Sequence, residues 1–152
     1  MKKLIFCIGV LFILSGCNEN CDDTACFTPP PPFNFEFIDA DTGENLFTSG
    51  TLEEDDISVT NQADNSERFI SEDDYNVLNI GDIGWETESV NYLIEVGERI
   101  SFSLLVDAER RNEDCCSFTR INSTEIQDSE FEHAENSDLI RILVEVPNEE
   151  LL

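Results

Sequence analysis

Apolar and polar residues alternate with a period of two over most of the chain after residue 32. In the first such run, Phe33, Phe35 and Phe37 are separated by single polar residues. Five further short or alternating runs cover residues 57–59, 77–80, 90–96, 100–106 and 140–146. This period is typical of strands with one buried face, and no long window after the leader carries a 3.6-residue apolar stripe. The pattern predicts an all-β domain.

Turn-forming residues separate these runs, as in Asp41-Thr42-Gly43 and Ser49-Gly50. Strands at such spacing predict a single antiparallel β-sandwich of immunoglobulin-like type over residues 33–148. We expect a helical turn or a long loop over residues 128–138, and fraying over residues 149–152.

The leader begins with two lysines and continues with a mostly apolar run over residues 4–14. The run ends in Leu14, Ser15, Gly16 and Cys17, which resemble the lipobox of bacterial lipoproteins. That resemblance implies that residues 1–16 are a cleaved signal peptide and that Cys17 carries a diacylglycerol anchor in the outer membrane. The run is shorter than the roughly 20 residues that span a bilayer. An ordinary secretory signal is the alternative, but Leu14 fits it less well.

Residues 17–32 predict a lipidated, acidic tether that ends in the extended segment Pro29 to Pro32. The acidic residues after Cys17 resemble the surface-export signal of Bacteroidota-type lipoproteins, which implies exposure at the cell surface. Residues 35–46, with their Asp-Thr-Gly-Glu turn, resemble the opening hairpin of transthyretin-like modules and imply a transthyretin-like sandwich. Together with Cys115-Cys116, these features make the chain similar to Bacteroidota surface lipoproteins.

Charge limits the possible partners. Without residues 1–16 the chain has six arginines, no lysine and 34 acidic residues, a net charge of −28. Such a field repels nucleic acid and anionic lipid headgroups and favours divalent cations or a basic protein partner. The alternative explanation is solubility in a salty medium. Hydrophobic residues still make up 40% of the chain and include eleven phenylalanines, which is enough for a packed core.

Four cysteines remain beside the lipidated one, namely Cys21, Cys26, Cys115 and Cys116. An even number in an exported chain predicts disulfides rather than a zinc site. A bond between the adjacent Cys115 and Cys116 is strained. If all four cysteines pair, both bonds therefore join the tether to the strand near residue 115.

Asp39 and Asp41 precede Gly43 at a spacing that admits a calcium site, with a simple hairpin turn as the alternative. Trp85, Tyr75 and Tyr92 are candidates for stacking on a glycan, or for the core.

The single histidine, His133, lies among acidic residues, and the chain contains none of the common nucleophile or phosphate-binding motifs. The sequence thus predicts a lipid-anchored, non-enzymatic accessory module without a resident cofactor. The second hypothesis is a calcium- or carbohydrate-binding surface protein of an uptake system.

Overall fold

Nine strands account for most of the chain that the computed structural model describes, which comprises residues 26–67, 76–113, 115–135 and 137–146. In chain order they are β1 (Cys26–Phe27), β2 (Phe33–Asp39), β3 (Ile57–Asn61), β4 (Leu78–Ile80), β5 (Glu88–Val96), β6 (Ile100–Glu113), β7 (Cys116–Gln127), β8 (Glu130–His133) and β9 (Leu139–Val144). The only helix within these ranges is a single 3-10 turn, Glu54–Asp56, so they hold no helix that could cross a bilayer.

The strands form two sheets that pack face to face. One sheet has the order β1-β7-β6-β5-β3 and the other the order β4-β2-β9-β8. Neighbouring strands are antiparallel, except that β1 runs parallel to β7 and β2 runs parallel to β9. The predicted all-β sandwich is confirmed, with two parallel pairs in otherwise antiparallel sheets.

The core lies between the sheets and is built from the alternating residues. Phe35 and Phe37 of β2 are fully buried and pack on Phe102 of β6, with ring centroids 5.5 and 6.3 Å apart. Burying an aromatic side chain of this size contributes about 1.5–3 kcal/mol. The described residues include no buried polar or charged side chain, so their acidic groups lie on the surface.

The segment over residues 128–138 differs from the prediction. Residues 130–133 form strand β8, which pairs with β9 from Glu130 opposite Leu143 to His133 opposite Ile140. All four β8 residues are exposed. Because neither face of β8 is buried, its sequence lacks the alternation that identifies a strand, and the prediction of a helical turn or long loop was wrong there.

The sandwich also takes in part of the predicted tether. Cys26 and Phe27 form β1, which pairs with the first two residues of β7. The described chain is therefore held to the sheet six residues before the first core strand, β2, begins at Phe33.

Candidate functional site: an aromatic platform on a clamped ribbon

Strands β6 and β7 extend beyond β5 as a ribbon, whose other edge is covered only by the two-residue strand β1. Strand β5 follows β6 only as far as the pair Glu88 and Ala108, whereas β6 continues to Glu113 and remains paired with β7. A two-stranded ribbon is marginally stable by itself. Contacts from other parts of the chain must therefore hold it in place.

A disulfide between Cys26 and Cys116 clamps β1 to the start of β7. The backbone N–H of Thr28 continues the pairing by donating to the carbonyl of Ser117 at 3.1 Å. Cys115 is disulfide-bonded as well. The predicted disulfide between the segment before the sandwich and the 115–116 turn is thus confirmed for Cys26, while Cys21 lies outside the described residues.

Beside the clamp, the rings of Phe27 and Trp85 stack with centroids 5.2 Å apart and planes 21° apart. The Arg110 guanidinium lies 5.4 Å from the centroid of Phe27 and 5.6 Å from that of Trp85, within cation–π range of both. We call Phe27, Trp85 and Arg110 the aromatic platform. Phe27 is 61% exposed and Trp85 is 42% exposed. The platform therefore covers the ribbon and still presents a large aromatic surface to solvent.

Arg110 joins the platform to the strands beneath it. Its Nη1 donates to the carbonyl of Thr28 at 3.1 Å and to Oγ1 of Thr119 at 2.9 Å, and Thr119 Oγ1 donates to the carbonyl of Gly84 at 2.6 Å. One guanidinium thus connects β1, β7 and the loop that carries Trp85. Charged donors make stronger hydrogen bonds than neutral ones, so this connection restricts the position of both rings.

The loop over residues 81–87 presents Trp85 in a single defined conformation. Asp82 has a left-handed backbone (φ +62°), and its carboxylate accepts a hydrogen bond from the Trp85 indole N–H at 3.0 Å. The N–H of Gly84 donates to the Glu88 carboxylate. Gly84 has a φ of +96°, and a Cβ there would collide with the methyl group of Thr119. Only glycine fits at this position, so the sequence of the loop is matched to the ribbon below it.

The other aromatic candidates lie elsewhere. Tyr92 is fully buried in the core, and Tyr75 lies outside the described residues. His133 makes an edge-on contact with Phe131 on the exposed strand β8. The lipobox residues Leu14, Ser15, Gly16 and Cys17 also lie outside the described ranges.

The calcium candidates Asp39 and Asp41 lie in the turn after β2. Asp39 Oδ1 accepts hydrogen bonds from the backbone N–H groups of Asp41, at 2.8 Å, and Thr42, at 2.9 Å. Gly43 completes the turn with a φ of +74°. Among the described residues, no three His, Cys, Asp or Glu side chains are grouped closely enough to hold a metal ion. The Asp39 carboxylate thus closes a turn, and a calcium site at this position stays a prediction.

Asp39 should make the stability of this turn depend on pH. The hydrogen bond from Thr42, followed by that from Asp41, lowers the pKa of Asp39 below its ordinary value of 3.8. Its contribution to stability is therefore complete above the unfolded pKa and is lost as the pH falls through the lower, folded pKa. We expect Asp39→Ala to lower the melting temperature at pH 7, with a smaller difference from wild type at pH 2–3. Asp39→Asn keeps the acceptor oxygen and should be milder at pH 7; equal losses for both variants would contradict this role.

An open groove of about 800 Å³ occupies the other end of the sandwich. Its wall is about half apolar, with Leu46, Val96 and Val144 among the lining residues, and half polar, with Glu98 and Arg99. The groove is bordered by Val146, the last residue of the described chain. The platform is the better-defined candidate, because stacking and hydrogen bonds fix its side chains relative to one another.

Sequence reasoning identified Trp85 but missed its two partners. Phe27 lies in the predicted tether and Arg110 lies beyond the predicted apolar run over residues 100–106, because no apolar alternation surrounds either residue. The available signal was the position of Phe27 next to Cys26, since a residue beside a cross-linked cysteine is brought close to the strand that carries its partner. Comparisons of the chain with family models, with curated proteins and with solved structures found no match.

Proposed function

We propose that this protein is a lipid-anchored, non-enzymatic binding module of the cell envelope, held in the outer membrane through Cys17 and exposed at the cell surface. The aromatic platform is its binding surface. Two features support this proposal: the leader resembles a lipobox, and a disulfide clamps the chain to β7 where it enters the sandwich.

The disulfide clamp is the observation that carries this proposal. Cys26 lies nine positions after Cys17, a length of chain that spans at most about 30 Å. The disulfide connects Cys26 to the first residue of β7, a strand of 12 residues paired with β6. A pull on the anchor is therefore transmitted by a covalent bond to the sheet rather than by the two-residue strand β1. Such a connection suits a module that is held through its N-terminal segment.

The position of the platform supports a role in binding. Phe27 follows the clamp directly, so the most exposed aromatic surface of the described chain lies at the end that faces the anchor. Large exposed aromatic residues are unfavourable unless they serve an interaction, and such residues are enriched at binding sites.

The anchor is tested by Cys17→Ser in the full-length protein. We expect complete loss of palmitate labelling and a shift of the protein from the membrane fraction to the soluble fraction, because no other site for the thioether remains. Cys7→Ser, in the leader, is the matched control and should keep both label and membrane association. Protease treatment of intact cells should degrade the wild-type protein if it is surface-exposed. A labelled, membrane-bound Cys17→Ser protein would refute the proposal.

A further inference from the structure

We propose that the aromatic platform binds a neutral saccharide, with a sugar ring stacked on the outer face of one ring of the stacked Phe27–Trp85 pair. The inference rests on the proposed function in taking the platform as the binding surface of the module. It goes further in naming the chemistry of the ligand.

The exposed rings form one surface. Only three large hydrophobic residues of the described chain are strongly exposed, namely Phe27, Trp85 and Phe131. Two of them, Phe27 and Trp85, stack on each other with ring planes 21° apart, whereas Phe131 lies on β8 in the other sheet. The hydrogen bonds of residues 82–88 hold Trp85 in place before any ligand arrives, so binding costs little ordering of this side chain.

Charge excludes two classes of ligand. A cationic ligand attracted to the rings would meet Arg110, which already lies within 6 Å of both centroids. A polyanion would meet the field of a chain that carries 34 acidic residues. Arg110 thus repels a cation at the rings, and the acidic surface repels a polyanion. An uncharged ligand meets neither repulsion.

The strands beside the platform supply polar groups on the same face. Asn112 lies opposite Ser117, and Ser117 lies opposite Phe27, so the three side chains form one row across β6, β7 and β1. Ser117 Oγ donates to Asn112 Oδ1, and Asn112 is exposed. The row therefore places an amide and a hydroxyl next to the most exposed ring of the platform.

A pyranose matches this arrangement. One face of the ring presents C–H groups, which are attracted to the electron-rich face of an aromatic ring, and its edge presents hydroxyls that both donate and accept hydrogen bonds. The edge of a zwitterionic lipid bilayer is the competing partner for an exposed Trp and Phe. The polar side chains of Asn112 and Ser117 favour the saccharide. Insertion into a bilayer would place their amide and hydroxyl groups against its apolar region, where they would lose hydrogen bonds to water.

The test uses the full mature lipoprotein in a detergent without a sugar headgroup. The probes are immobilised neutral oligosaccharides of glucose, mannose, galactose and N-acetylglucosamine, with sulfated and uronic-acid glycans for comparison. We expect binding to at least one neutral oligosaccharide and none to the anionic glycans. Trp85 is the only tryptophan in the chain, so its emission should shift on titration with the bound oligosaccharide.

Variants then connect binding to the platform. Trp85→Ala and Phe27→Ala should each weaken binding by about tenfold, whereas Trp85→Phe should retain most of it. Phe131→Ala is the matched control, since Phe131 is 41% exposed and lies away from the platform, and it should bind as wild type does. A flat response to every neutral oligosaccharide would overturn the inference, as would binding that survives both alanine variants. A Trp85 emission shift with phosphatidylcholine vesicles, without glycan binding, would assign the platform to the membrane instead.

The two proposals fail in different ways. If no glycan binds but palmitate labelling is intact, saccharide binding is refuted and the proposed lipid anchor is supported. Loss of the anchor would leave saccharide binding measurable, because the assay is carried out in solution.

Discussion

Loss of the Cys26–Cys116 disulfide alone, in the oxidised variant Cys26→Ser/Cys116→Ser, should lower the free energy of unfolding by about 4–5 kcal/mol, the chain-entropy value for a loop of this length. Reduction also breaks the disulfide of Cys115 and should lower it by at least as much. Cys26 and Cys116 are 90 residues apart in sequence, so breaking their bond greatly enlarges the unfolded ensemble. Native contacts of β1 should be lost as well, since two residues of strand pairing are too few to persist without the bond. Guanidinium denaturation, with and without a phosphine reductant, followed by Trp85 emission and far-ultraviolet circular dichroism, measures the difference.

The double variant Cys26→Ser/Cys116→Ser separates the cross-link from the side chains. In reducing buffer it should unfold at the same denaturant concentration as reduced wild type, because neither protein then has the bond. In oxidising buffer it should be less stable than wild type. An oxidised wild type no more stable than its reduced form would show that the clamp adds nothing to the fold.

Gly84→Ala should destabilise the protein by about 2–4 kcal/mol, combining the cost of a left-handed backbone with that of forcing a methyl group into a filled space. The Cβ would collide with the Thr119 side chain and would lie 3.3 Å from the Cβ of Ala108. Because the loop carries Trp85, its displacement should also increase the exposure of the indole, which acrylamide quenching detects.

Two controls isolate the steric part of this effect. Gly81→Ala lies in the same loop, has no positive φ and no contact closer than 3.7 Å, and should change the unfolding midpoint little. Thr119→Ser removes the methyl group but keeps the hydroxyl that bonds Gly84 and Arg110. Gly84→Ala/Thr119→Ser should therefore recover part of the loss seen in Gly84→Ala. Without any recovery, the collision with Thr119 would not be the cause.

The core strands could be predicted from sequence because each has one buried face. Phe33, Phe35 and Phe37 are buried while Asn34 and Glu36 are not, and the alternation is visible in the letters alone. The same holds for β5 and β6, whose apolar positions lie opposite one another across the sheet. Burial on one face therefore marked the parts of the fold that were predicted correctly.

Strands β1 and β8 could not be predicted in this way. They are held by backbone pairing or by a covalent bond, and neither produces an alternation of apolar and polar residues in the sequence. Strand β8 is exposed throughout, and β1 is two residues long beside a proline-rich segment. The platform is a harder case, because Trp85 lies 58 positions after Phe27 and Arg110 lies a further 25 positions along the chain. Only the register of β1 on β7 and the course of residues 81–87 bring Phe27, Trp85 and Arg110 together.

The parallel pairing of β2 with β9 has a consequence for how the domain folds. Glu36 of β2 lies opposite Arg141 of β9 and forms an ion pair with it across a separation of 105 residues. Contacts between such distant residues form slowly, because a long loop must close before they contribute any stability. The four-stranded sheet cannot be completed before β9 has been synthesised. A nascent chain that ends before Leu139 therefore lacks β9, a central strand of this sheet, and β2 cannot complete its pairing until β9 is available.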